Sequence, residues 1–251
     1  MGLTIHYQIK LRPEDRETGR IEPLHYVQRS RRHAQKLQRS GRVTSVGPIR
    51  QDAESLALQV AFNRGINSQG EWGWKPVFPE AGWVFLVECG EGCEPLRLGL
   101  CRYPPSVGYV GRRRWERLNA PENVVWRVEG FCKTQYANAL GWEHFRRCHL
   151  AVIELVEFWQ TFGAKVMIRD EGGYWPHASE RALRRNLGEY DQCVAAMGGA
   201  LKDADDSGKQ ISGPIFKHPR FESLEAQGQA RHGPAVAAAA QLVKQLAASP
   251  H

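Results

Sequence analysis

The chain has 251 residues, 42% of them hydrophobic and 24% charged, an ordinary globular composition with enough apolar residues for a sizeable core. No run of about 18 apolar residues occurs, which excludes a membrane-spanning helix. The first residues, Met1-Gly2-Leu3-Thr4-Ile5-His6-Tyr7, lack a charged segment followed by an apolar one, so no signal peptide is expected and the protein reads as cytoplasmic. The net charge of +7 and pI near 9.2 favour attraction to polyanions without naming a partner.

In chain order, residues 3–10 alternate Leu3, Ile5 and Tyr7 against Thr4, His6 and Gln8, the period of a strand. Pro23 opens a helix over residues 24–38, whose apolar seam is Leu24, Val27, Ala34 and Leu37, and Gly41 closes it. Between positions 24 and 42 lie six basic residues and no acidic one. Arg29, Arg32, Lys36 and Arg39 step by three and four and so form one stripe, away from the seam. Such a stripe suits a phosphate backbone, because each neutralised phosphate releases a counterion; a solvated outer face is the plainer reading.

Residues 43–49 and 56–62 suggest strands, whereas 63–79, rich in Gly, Asn and Trp, suggests a long loop. The continuously apolar 83–87 predicts a central strand, and Leu96, Leu98 and Leu100 predict its hairpin partner across the turn 90–95. Residues 104–115 read as a loop. It carries Arg112, Arg113 and Arg114 beside Trp115, a combination able to bind phosphates and stack a base.

A strand at 124–132, a helix from Phe145 to a Gly163 cap and a strand at 166–169 predict a parallel crossover unit. Ligands on such sheets bind outside the carboxyl ends of the strands. Two polar loops would meet there, Lys133-Thr134-Gln135-Tyr136 and Asp170-Glu171-Gly172-Gly173-Tyr174-Trp175. Lys133, Tyr136, Asp170 and Glu171 are the candidate acid–base residues, while Gln135, Gly172, Gly173, Tyr174 and Trp175 are the candidate ligand contacts. Adjacent acids on an extended segment point to opposite sides, so only one of Asp170 and Glu171 can face a shared pocket. A Gly-Gly turn with aromatic packing is the competing reading.

Ser179 is a candidate N-cap for a second long helix, with a heptad seam of Leu183, Leu187, Tyr190, Val194, Met197 and Leu201. After a polar linker at 204–213 come a short extended segment at 215–221 and an Ala-rich, peripheral tail helix from Pro234. The expected organisation is one α+β domain over 1–213, followed by these C-terminal elements.

Six cysteines without a secretory signal read as reduced, mostly buried thiols. His144 and Cys148 share a helix face, and Cys89 and Cys93 flank a turn that could bring two more ligands. No Cys-x-x-Cys pair is present, however, and the spacing matches no zinc pattern, so no metal site is assigned. His149 faces the apolar side of its helix and is expected in the core. No P-loop, dinucleotide-binding glycine fingerprint, nucleophile elbow or His-Glu-x-x-His motif occurs, and no cofactor is indicated.

The opening 2–7 segment, the 92–104 hairpin, Phe131-Cys132-Lys133-Thr134-Gln135-Tyr136-Ala137 and Asp170-Glu171-Gly172-Gly173-Tyr174-Trp175 resemble a group of bacterial hypothetical proteins. The likeness spans most of the chain apart from residues 56–79 and the tail. It implies a bacterial, soluble origin and no particular chemistry. The sequence thus predicts an α+β protein: a mixed β-sheet with two long helices packed on it and a basic N-terminal helix. Three functions stay open: binding of RNA or DNA through the basic helix, an enzyme or small-molecule-binding role at the Lys133/Asp170/Tyr174 corner, and protein interaction through the 183–201 seam. The oligomeric state is not indicated.

Overall fold

The computed structural model describes residues 3–11, 22–51, 58–63, 72–104, 106–108, 115–117, 126–204 and 213–248. Ten strands and four α-helices follow one another: β1 (Thr4–Leu11), α1 (Pro23–Arg39), β2 (Ser45–Val46), β3 (Leu58–Asn63), β4 (Trp72–Val77), β5 (Ala81–Glu88), β6 (Leu96–Arg102), β7 (Ser106–Gly108), β8 (Trp115–Arg117), β9 (Trp126–Lys133), α2 (Trp142–Glu157), β10 (Lys165–Asp170), α3 (Glu180–Ala204) and α4 (Phe221–Ala248). Short 3-10 turns at Gln135–Leu140, Phe158–Phe162 and Pro214–Lys217 complete the described chain.

Six strands form one sheet in the order β10-β1-β9-β6-β5-β2, with β3–β4 and β7–β8 as separate ribbons. The α+β class expected from the sequence is what the fold shows, with one correction to the sheet. Each pairing among the described residues is antiparallel, so the sheet is not mixed. The crossover through α2 does join strands that run the same way, but β1 sits between them, with Ile5 opposite both Asp170 and Cys132. Strands lie about 4.8 Å apart, so the connection has only to bridge about 10 Å, and β1 gains a hydrogen-bonded partner on each side.

Alternation along the strands sorts the two faces. Ile5, Tyr7, Ile9 and Leu11 of β1, Val128 and Cys132 of β9, Leu96, Leu98 and Leu100 of β6, and Phe85 and Val87 of β5 form the buried face. The helices cover it, α1 over β2, β5 and β6 and α2 over β1 and β10. From α1 come Val27, Ala34 and Leu37; from α2 and the following turn come Phe145, Val152, Leu155, Val156 and Trp159. Burying each large aliphatic or aromatic side chain contributes about 1.5–3 kcal/mol. The Gly163 cap takes the left-handed conformation expected of it (φ 76°).

Toward the C-terminus, the Ser179 hydroxyl accepts the Ala182 N–H at 3.2 Å and caps α3 as predicted. The N-terminal part of α3 reaches the main core, through the buried Leu183 and Leu187 and the half-buried Tyr190. Its remainder packs along α4, with a separate apolar cluster of Ala195, Ile215 and Leu224. Several local expectations change. Residues 72–77 and 106–108, read as parts of loops, pair with β3 and β8 as β4 and β7, the segment expected to be extended at 215–221 begins in the 3-10 turn Pro214–Lys217, and α4 begins at Phe221 and runs through Pro234. Among the described residues no helix is long and apolar enough to cross a membrane.

Candidate functional site

The two polar loops lie at the same rim of the sheet, on either side of the start of β1: Thr4 pairs with Lys133 and Ile5 with Asp170. Strand alternation then separates the expected partners. Asp170 follows Val166 and Ile168 into the helix-covered face, whereas Lys133 follows Phe131 onto the opposite one. The Lys133 ammonium stands 3.3 Å from Glu94 Oε1 and 5.5 Å above the Phe131 ring.

The Asp170 side chain is fully buried and occupied by its own turn. Its Oδ1 accepts the Gly172 N–H at 2.7 Å, and its Oδ2 accepts those of Tyr174 and Trp175 at 2.7 and 3.0 Å. His149 Nε2 lies 3.1 Å from Oδ1, off the in-line direction, so the contact is electrostatic more than a linear hydrogen bond. Burial pushes this carboxyl up, but the His149 contact and the Trp175 and Gly172 amides outweigh it and hold the group below the ordinary Asp value. The carboxylate favours the imidazole proton on Nε2, leaving Nδ1 to accept from the Thr134 hydroxyl at 2.8 Å. Thr134, His149 and Asp170 thus form a sealed polar chain tying β9, α2 and β10 together. Their order resembles a hydrolytic triad, yet all three side chains are buried and no nucleophile reaches solvent.

The remaining corner residues are structural ties as well. Gln135 is buried, accepting the Leu3 N–H at 3.1 Å and donating to Asp191 Oδ1 at 3.0 Å. Asp191, whose pKa burial raises, also receives Asn138 Nδ2 at 2.8 Å. Glu171 faces outward, accepts the Thr4 N–H at 3.1 Å and stands 3.4 Å from His6 Nε2 and 3.7 Å from Arg169. A Cβ on Gly172 would sit 2.6 Å from Leu183 Cδ1 and 2.9 Å from both Asp170 Oδ1 and His149 Cε1. Gly173 takes φ 72° in the same turn. Tyr136 is half-buried, and Tyr174 and Trp175 pack against the core.

Open space lies instead on the outer face of the sheet, in a cleft of about 910 Å³. Its walls include His6, Gln8, Leu86, Arg97, Glu129, Phe131, Met167 and Arg169. Leu86, Phe131 and Met167 are 41%, 52% and 59% exposed, so the floor presents apolar surface to water. Lys133 pairs with Glu94 and Arg169 with Glu171, and Gln8 Nε2 donates to Glu129 at 2.8 Å. Among the described residues the Arg97 guanidinium pairs with no carboxylate. The sequence offered the alternation that creates this face, but not that no described element would cover it.

On the other side of the molecule, α1 turns Arg29, Arg32, Lys36 and Arg39 outward, and all four are exposed. Arg29 lies over the Phe162 ring at 4.7 Å, and Arg39 Nε donates to Gln35 O at 3.3 Å. Arg31 instead donates to Gly47 O at 2.7 Å, and Arg42 pairs with Glu154 at 2.5 Å. Among the described residues no carboxylate pairs with Arg32, Lys36 or Arg39. Arg112, Arg113 and Arg114 lie outside the described residues.

The fourth place of interest is the turn between β5 and β6, where Cys89 and Cys93 approach His144 and Cys148 of α2. Cys148 Sγ is 3.6 Å from His144 Nε2 and 3.4 Å from Cys89 O. Among the described residues no set of three or more His, Cys, Asp or Glu side chains is arranged to hold a metal ion. No family model, no curated protein and no solved structure matches the chain.

Proposed function

We propose that this is a cytoplasmic protein that binds RNA or DNA through the outward face of α1. The observation that carries the reading is the exposed stripe of Arg29, Arg32, Lys36 and Arg39, three of which no described carboxylate neutralises. Like charges spaced three and four apart repel one another along a helix, and phosphates on a polyanion relieve that repulsion while releasing counterions. The test is fluorescence anisotropy of the full chain with single- and double-stranded RNA and DNA across a salt series. Affinity should fall steeply with salt, and Arg32→Ala, Lys36→Ala and Arg39→Ala should each reduce the duplex log–log slope by about 0.9. Binding that is absent, insensitive to salt or unchanged in the triple variant refutes the proposal.

The sheet-face cleft favours a second reading, a small amphipathic ligand with an anionic group on Arg97 and an apolar part over Phe131 and Met167. A thermal-shift screen with fatty acids and aryl carboxylates tests it. A ligand at 100 times its Kd stabilises by about 2.7 kcal/mol, and Arg97→Ala should abolish the shift. Equal shifts in wild type and variant place the ligand elsewhere.

A further inference from the structure

The main sheet has two edges, β2 and β10, and they are guarded differently. A free edge strand is a template for another strand, and proteins blunt such edges by keeping them very short or interrupting them with proline. β2 is two residues long and runs straight into Gly47-Pro48. β10 is six residues of regular strand, Lys165–Asp170, with neither proline nor glycine. Among the described residues no element pairs with its outer side.

The pairing with β1 fixes which backbone groups are left over. Glu171 N–H donates to Thr4 O at 3.1 Å, and hydrogen bonding alternates along an antiparallel strand. Lys165, Met167 and Arg169 therefore turn their N–H and C=O groups toward β1. Those of Val166 and Ile168, with the N–H of Asp170, point away from the sheet and need partners. Lys165, Met167 and Arg169 also share the outer face, and all three side chains are exposed.

We propose that β10 is a dimerisation edge, pairing antiparallel with β10 of a second copy of this chain about a twofold axis at Ile168. The axis must pass through one residue of the strand, because a one-residue slip would set outer-face side chains against inner-face ones. With the axis at Met167, Lys165 would lie opposite Arg169 of the second copy, and like charges directly opposite destabilise a pair. With the axis at Ile168, Lys165 lies opposite Glu171 of the second copy and Met167 opposite its Arg169. The two Ile168 residues then exchange both N–H···O bonds, and each Asp170 N–H meets a Val166 C=O. Among the described residues Lys165 pairs with no carboxylate of its own chain, so the same strand read backwards supplies the acid that this edge lacks. The outer face continues across the joint. Met167 and Arg169 are walls of the outer cleft, so the two clefts adjoin, and Arg169 of the second copy stands at the rim of the first.

Sedimentation velocity of the full chain over a concentration series tests this, against a monomer of 28.4 kDa. The expected result is a reversible monomer–dimer equilibrium. Ile168→Pro removes an N–H that the fold itself does not use, at an edge position where proline is tolerated; it should give a folded monomer with an unchanged circular dichroism spectrum. Lys165→Glu sets acid against acid at both ends of the joint and should raise the dimer Kd about tenfold. Ile168→Cys should yield a covalent dimer under mild oxidation, since a hydrogen-bonded pair holds its Cα atoms about 5.5 Å apart, within disulfide reach. Met167→Cys and the wild type, which carries the native thiols, should not. A monomer at every concentration overturns the proposal, as does a dimer whose Kd Lys165→Glu leaves unchanged. Cross-linking through Met167→Cys in place of Ile168→Cys also overturns it. So does a chain that stays monomeric while an added extended peptide protects the Val166 and Ile168 amides from hydrogen exchange, which would assign the edge to a foreign strand.

Discussion

The Asp170 carboxylate holds its turn by accepting three backbone N–H groups and facing the His149 imidazole, all inside the protein. Removing such an acceptor leaves buried donors without partners, and that penalty exceeds the net worth of the bonds. Asp170→Asn keeps the shape but turns an amide N–H₂ toward donors, and should cost about 1–3 kcal/mol at neutral pH. The pH dependence has a definite sign. The folded-state pKa is depressed, so the stabilisation is fully present above the unfolded value of about 3.9. It is lost as pH falls through the lower folded value. The gap between wild type and Asp170→Asn should therefore close in acid, because the protonated carboxyl then resembles the amide. Urea unfolding from pH 7 to pH 3 measures this, and a gap independent of pH would show that Asp170 is not ionised in the folded protein.

At the scale of elements, what could be read in the sequence was local, and what could not was which elements become neighbours. β1, the β5–β6 hairpin, α2 with its Gly163 cap and the Ser179 cap of α3 each carry their own signal in residues a few positions apart. His149 was placed in the core from its helix face alone, and it is buried there. By contrast, no periodicity in residues 124–170 says that β1 will pair between β9 and β10. That insertion decides the corner. It puts the Thr4 and Leu3 amides between the two loops, where they take up Glu171 and Gln135, residues otherwise open to a ligand. β4 was hidden for a related reason: Gly73 and Pro76 are turn formers by composition, and only pairing with Phe62 and Gln59 across the ribbon makes them strand. The parity of Lys133 and Asp170 was countable, but its consequence needed the sheet's covered face to be known.

On the scale of the whole molecule the described apolar residues include two separate clusters, and this predicts unequal stability along the chain. The main cluster joins the sheet, α1, α2 and the first turns of α3. The second, with Ala195, Ile215 and Leu224, holds the far part of α3 to α4. α4 itself meets only α3 and the turn before it among the stronger packing contacts. Local opening is cheapest where few apolar side chains are buried, so the α3–α4 pair should open without the sheet. At Gly228 the two helix backbones approach closely, since a Cβ there would stand 2.1 Å from Gln192 O. Overpacking of this kind costs about 1–3 kcal/mol, and Gly228→Leu should force the two helices apart. Hydrogen–deuterium exchange on the full chain separates the alternatives. Amides of 221–241 should exchange sooner than those of β1 and β9, and Gly228→Leu should speed the former while leaving the latter unchanged. If the substitution instead loosens β1 and β9 to the same degree, the two clusters unfold as one cooperative unit and the α3–α4 pair is an integral part of it.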